Sequence, residues 1–264
     1  MTATATATPT VPTPHVAPVS RPSIPRLTLV ELRKMTDTRA GFWLLAVTAL
    51  GYLALVVVMF FAAGPEEQTF YGFFQITLIP SGILLPVIGI LAVTSEWTQR
   101  SALTTFTLVP ERERVAAAKL LAGLVLAVAS VVAGLAFAAV GNLAAIAFQD
   151  ADGSWQLTAG ALGSALLFQV INMLMGIAFG MLLMNSALAI VMYFLLPMVW
   201  GILGGLVSAL STAAKWLDLS ITSTPLTENA MSGSDWPKLA ASVGLWVVVP
   251  LVVGLARLIR REVS

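Results

Sequence analysis

Over most of this chain, apolar residues neither alternate nor recur with the 3.6-residue period of a water-facing helix. They form long unbroken blocks. A bilayer core of about 30 Å needs about 20 apolar residues of helix, and six blocks qualify: Phe42–Ala63, Ile76–Thr94, Leu120–Phe148, Leu162–Met184, Ala187–Leu210 and Leu239–Ala256. None contains Asp, Glu, Lys, Arg or His. Backbone donors and acceptors find no water inside a bilayer, so each block predicts a transmembrane α-helix. The expected fold class is an all-α integral membrane protein with six transmembrane helices. The third block is long enough to tilt or to end near Asn142. Only Asn185 and Ser186 divide the fourth from the fifth. Fused, those two would leave five spans and place the chain ends on opposite sides.

Two segments precede the spans. Residues 1–25 are rich in Thr, Ala and Pro, with too little apolar surface to offset ordering, and predict a disordered tail. The apolar core of a signal peptide is absent from it, and its His15 reads as a solvated residue rather than a metal ligand or pH sensor. Residues 26–40 differ. At 100° per residue, Leu29, Leu32, Met35 and Thr36 share one side, while Glu31, Arg33, Lys34 and Asp37 share the other. This predicts a short amphipathic helix lying in the membrane interface; the alternative is a solvated linker helix. The expected six-span domain covers residues 26–264.

Composition narrows the function. Of 264 residues, 58% are apolar and 10% charged, against about 25% charged in soluble domains, which excludes a soluble enzyme. The chain lacks Cys, so disulfides and thiolate metal sites are excluded. A net charge of +1 gives no basic field for nucleic acid. Its distribution is uneven. Twelve of the 14 Lys and Arg residues fall before span one, between spans two and three, or after span six; Lys215 and Lys238 are the exceptions. The opposite connections carry Glu66, Glu67, Asp150, Asp152, Asp218, Glu228 and Asp235. The positive-inside rule then places both termini in the cytoplasm and requires an even number of spans.

Within the spans no residue serves a proton relay or ion coupling. Neither HExxH nor GxxxxGK[ST] occurs, so no catalytic residue, metal site or ATP site is expected in this chain. Asp150, Asp152 and Asp218 are the sole set remotely suited to a membrane enzyme. The informative segment is SEWTQRSALTTFTLVPERERVAAAK, Ser95–Lys119. Glu96 and Arg100 stand at i, i+4 and are placed to pair. Leu103, Phe106 and Leu108 give an apolar side, Pro110 ends the element, and the ERER run restarts a helix that carries Lys119 to the membrane. It reads either as a docking knob for a cytosolic protein or as a solvated loop that enforces topology.

This loop resembles the signature of ABC-2-type permeases, the membrane subunits of many ATP-binding-cassette exporters, through Glu96, Arg100, Leu103, Leu108, Pro110, Arg112, Arg114 and Lys119. Ser101-Ala102 stands where that family usually has Gly-Thr. The segment ELRKMTDTRAGFW is similar to the family's amphipathic helix entering span one, and WLDL, Trp216–Leu219, with LWVVVPLVVGLARLIRREV, Leu245–Val263, resembles actinobacterial members. The resemblance implies a type V exporter-like fold in a bacterial cytoplasmic membrane. It further implies a second permease subunit, identical or a paralogue, and a separate cytosolic ABC ATPase that binds ATP and Mg. Glu96, Arg100, Leu103, Pro110, Arg112, Arg114 and Lys119 would couple to that ATPase. Spans without charge are compatible with an amphipathic or hydrophobic cargo, such as a drug, peptide antibiotic or lipid, and select none of them. The alternative is a non-transporting anchor, sensor or immunity subunit.

Other features carry two readings each. Gly176-x-x-x-Gly180 and Gly201-x-x-x-Gly205 serve contacts between subunits or between spans. Pro80, Pro86, Pro197 and Pro250 mark hinges or are simply tolerated. Gln169 and Asn172, at i, i+3 of span four, line a polar pathway or hydrogen-bond between helices, at about 0.6 kcal/mol each. By analogy with the family it resembles, the long outer segment Ser211–Pro237 is expected to cap the exit.

Overall fold

A computed structural model describes residues 22–98 and 111–260 of the chain. Helix α1 is Ile24–Asp37, α2 Arg39–Ala62, α3 Phe70–Thr98, α4 Arg112–Phe148, α5 Ala159–Leu183 and α6 Ser186–Leu206. Two short helices follow, α7 Ser211–Leu217 and α8 Leu219–Thr227. The last span is one continuous rod made of α9 Asp235–Val243, a π-helical segment Gly244–Val248 and α10 Val249–Arg260. No strand occurs among the described residues. Six of these elements are long and apolar enough to cross a membrane, so this is a multi-pass, all-helical membrane protein.

Boundaries follow local chemistry. Helix α1 opens at Ile24, just inside the expected tail, because Pro25 sits in the first turn, where its missing N–H costs nothing. The fourth and fifth blocks are separate helices. Met184 takes a left-handed conformation that ends α5, and the Asn185 side chain accepts the Leu188 N–H to start α6. The π segment lies directly before Pro250, which lacks the N–H that the Trp246 carbonyl would otherwise receive. Helix α3 runs through Pro80 and Pro86, and α6 through Pro197, as single elements.

Helices α3 and α5 form the centre. Half of the apolar stretch of α3 and 56% of that of α5 is buried, against 17% for α2 and α6. Helix α4 packs on both and α10 packs on α5, while α2 and α6 lie outside and present large apolar side chains such as Val58, Phe61, Val191 and Met198. The centre is close because of small residues. A Cβ on Gly176 would lie 2.7 Å from Pro86 Cα, and one on Gly180 would lie 3.1 Å from the Ile90 carbonyl oxygen. That pair therefore packs α5 on α3 within the chain. Gly205 faces open space.

Helices α3 and α4 extend beyond the expected spans, so the connection between them is shorter than Ser95–Lys119. Glu96 still belongs to α3, and Arg112, Arg114 and Lys119 already belong to α4. Arg100, Leu103 and Pro110 lie outside the described residues.

Candidate functional site

Charged groups meet at one end of the bundle, where α1, the end of α3 and the start of α4 converge. We call it the basic end. The Lys119 ammonium, 3% exposed, lies 2.6 Å from Glu31 Oε2 and 3.2 Å from Glu96 Oε1, and donates to the Ala92 carbonyl at 2.9 Å. Three oxygens thus meet a group with three donors. Lys34 Nζ closes the set, 2.7 Å from Glu31 Oε1 and 2.8 Å from Glu96 Oε1. The result is a ring of alternating charge, Lys34–Glu31–Lys119–Glu96, with no net charge. Buried ions need such compensation, because taking each from water costs several kcal/mol. Burial lowers the Lys34 pKa, but its hydrogen bonds to Glu31 and Glu96 and their charges outweigh this and hold it above the usual lysine value.

The ring depends on which face of α1 turns inward. Glu31 and Met35, one turn apart, are both buried, whereas Leu29 and Val30 are about half exposed. This corrects the expected split of α1. The inward face carries Met35 and partly buried Leu32 from the expected apolar side and Glu31 from the other, because the Lys119 and Lys34 ammonium groups compensate the Glu31 carboxylate.

Arginines tie the same end together. Arg112 donates to the Leu258 carbonyl at 3.0 Å and Arg257 to the Leu182 carbonyl at 2.7 Å. Leu182 lies in the final turn of α5, where carbonyls lack intrahelical donors and carry the negative end of the helix dipole. Arg114 pairs with Glu111 at 3.1 Å and donates to the Pro22 carbonyl at 2.6 Å, fixing the entry to α1. Every described residue of the expected coupling set is thus engaged within the chain: Glu96 and Lys119 in the ring, Arg112 on α10 and Arg114 on α1.

Gln169 and Asn172 have separate surroundings. Gln169 is fully buried and donates to Ser81 Oγ at 2.5 Å and to the Leu78 carbonyl at 3.3 Å, bridging α5 to α3. Asn172 donates to Phe168 O and accepts from the Tyr193 hydroxyl at 3.0 Å, bridging α5 to α6. Asn172 also lines a cavity of about 680 Å³ between α3, α5, α6 and α8, at the opposite, acidic end. Above it α8 is capped by Asp218, which is 3% exposed and accepts the Ser220 N–H at 2.9 Å. Gln75 Nε2 donates to the Thr227 carbonyl at 2.7 Å and pins the far end of α8 to α3. The segment expected to cap an exit is therefore folded against the bundle.

No protein-family model matches the chain, and no curated protein does. Its function has to be argued from these groups. Sequence reasoning missed Glu31 and Lys34 as ring members, and Tyr193 and Glu228 as cavity residues. The one available signal was a lone acid, Glu31, a helical turn from the apolar Met35.

Proposed function

We propose that the chain is the permease subunit of an ATP-binding-cassette exporter of the ABC-2 type. It would work beside a second permease subunit and be driven by a separate cytosolic ATPase that holds ATP and Mg. The observation that carries this reading is the charge ring. Glu96 and Lys119 are the two roots of the connection between spans two and three, and the ring fastens them to each other and to α1. A coupling element has to pass force from one docking point to several spans. With its roots cross-linked, displacement of this connection moves α1, α3 and α4 together, and α3 bears on α5 along its length. The positive-inside rule puts this end in the cytoplasm of a bacterial cell. Apolar span interiors without carboxylates or His suit an external energy source better than proton coupling.

The test is purification of the tagged chain in mild detergent from its native membranes, with partner identification and an ATPase assay. A stoichiometric P-loop ATPase is expected with the wild-type chain. It should be lost from Arg100→Ala and Leu103→Asp chains that keep wild-type thermal stability. Absence of any ATPase across several detergents refutes the exporter reading and favours an anchoring or regulatory subunit. Glu96 is a poor probe here, because its carboxylate holds the ring and its removal alters stability before it alters coupling.

A further inference from the structure

The cavity at the acidic end has a polar roof, an apolar body and an exposed apolar seam along one side. Its roof is α8, from Leu219 and Ser220 to Thr227 and Glu228, and among the described residues Glu228 is the sole charged group lining the cavity. Glu228 is exposed and makes no ion pair among the described residues. It also stands at the C-cap of α8, where the helix dipole is already negative. A carboxylate there is unfavourable to the helix and favourable to a visiting cation. Below it, Ile79 and Ile83 of α3 face Phe194 and Met198 of α6, all between 42% and 64% exposed. These four residues form an open seam between two spans. From Gln75 under the roof to Ile83 the helix rises about 12 Å. The volume lies within the roughly 300–1,000 Å³ of small-molecule sites.

We infer that this cavity binds a cationic amphiphile, with one positive head under Glu228 and an apolar body about 12 Å long lying along Ile79 and Ile83. Anions are disfavoured, since neither Lys nor Arg lines the site. The head reaches the Glu228 carboxylate, and the tail enters sideways through the seam. Two sources share this chemistry: a single-chain cation from the aqueous phase and a cationic lipid resident in the bilayer. Binding needs no ATPase, so this inference stands or falls apart from the exporter reading.

The full chain in phosphatidylcholine nanodiscs tests it. The chain has no Cys, so Met198→Cys accepts a single bimane fluorophore at the seam. Quenching is titrated with nitroxide-bearing dodecyltrimethylammonium, with the same tail on a sulfate head, and with a nitroxide-bearing two-chain trimethylammonium lipid. Saturable quenching by at least one trimethylammonium probe is expected, weaker for the sulfate. Glu228→Gln should weaken the cationic probe about fivefold, the upper range for one partly exposed ion pair. Ile83→Trp should abolish saturation. Saturation by the single-chain probe alone identifies the aqueous source, and saturation by the two-chain lipid identifies the bilayer. Equal binding of cation and sulfate, or an unchanged preference in Glu228→Gln, overturns the inference.

Discussion

Replacing Lys119 by Met is expected to cost about 3–5 kcal/mol, because it removes one partner from buried ion pairs and strands the other. The structure sets out the arithmetic. The side chains of Lys119, Glu31 and Glu96 are 3%, 6% and 8% exposed. Without Lys119, two buried carboxylates share Lys34, whose side chain is 39% exposed. The four-residue ring then goes from neutral to a net charge of −1. A Met of similar length fills the space of the lysine stem, so the loss is electrostatic rather than a cavity. Adding Glu31→Gln restores neutrality and leaves the Glu96–Lys34 pair at 2.8 Å. The double variant should therefore be more stable than Lys119→Met alone, against the additive expectation. Size-exclusion chromatography after heating in mild detergent gives the midpoint. At about 2–4 °C per kcal/mol for a domain of this size, the single variant should fall by roughly 6–20 °C. A Lys119→Met midpoint within about 2 °C of wild type, or a double variant below the single, would refute the ring as an energetic unit.

Gly176→Ala should force α5 away from α3, since its Cβ would meet the Pro86 backbone rather than a movable side chain. A loss of about 1–3 kcal/mol is expected, seen as a poorer yield of monodisperse protein, while Gly205→Ala, facing open space, should match wild type. Alkaline pH should act through Lys34. The folded chain holds its proton more tightly than the unfolded chain, so its contribution is whole below pH 10.5 and is lost as pH rises through the higher folded value. The alkaline fall in midpoint should be shallower in Lys34→Met, and an unchanged slope would count against the assigned pairing.

The number of spans, their approximate limits and the uneven charge were legible in the sequence, because solubility in lipid depends on local composition. A block such as Phe42–Ala63 needs no partner to declare itself. The narrow break between blocks four and five was left open by the sequence, and the structure closes it with the Asn185 side chain on the Leu188 N–H. The charge ring was not legible. Local spacing offers Glu96 a neighbour at Arg100, which lies outside the described residues, and gives no sign of Lys34, 62 residues away, or of the Glu31 partner of Lys119, 88 residues away. Which face of α1 turns inward, which helices occupy the centre, and the opening of a cavity beneath α8 were likewise settled by tertiary packing. Every span is apolar on all sides, so periodicity marks no inner face. Contacts between small residues such as Gly176 and the pairing of a few buried charges choose it instead.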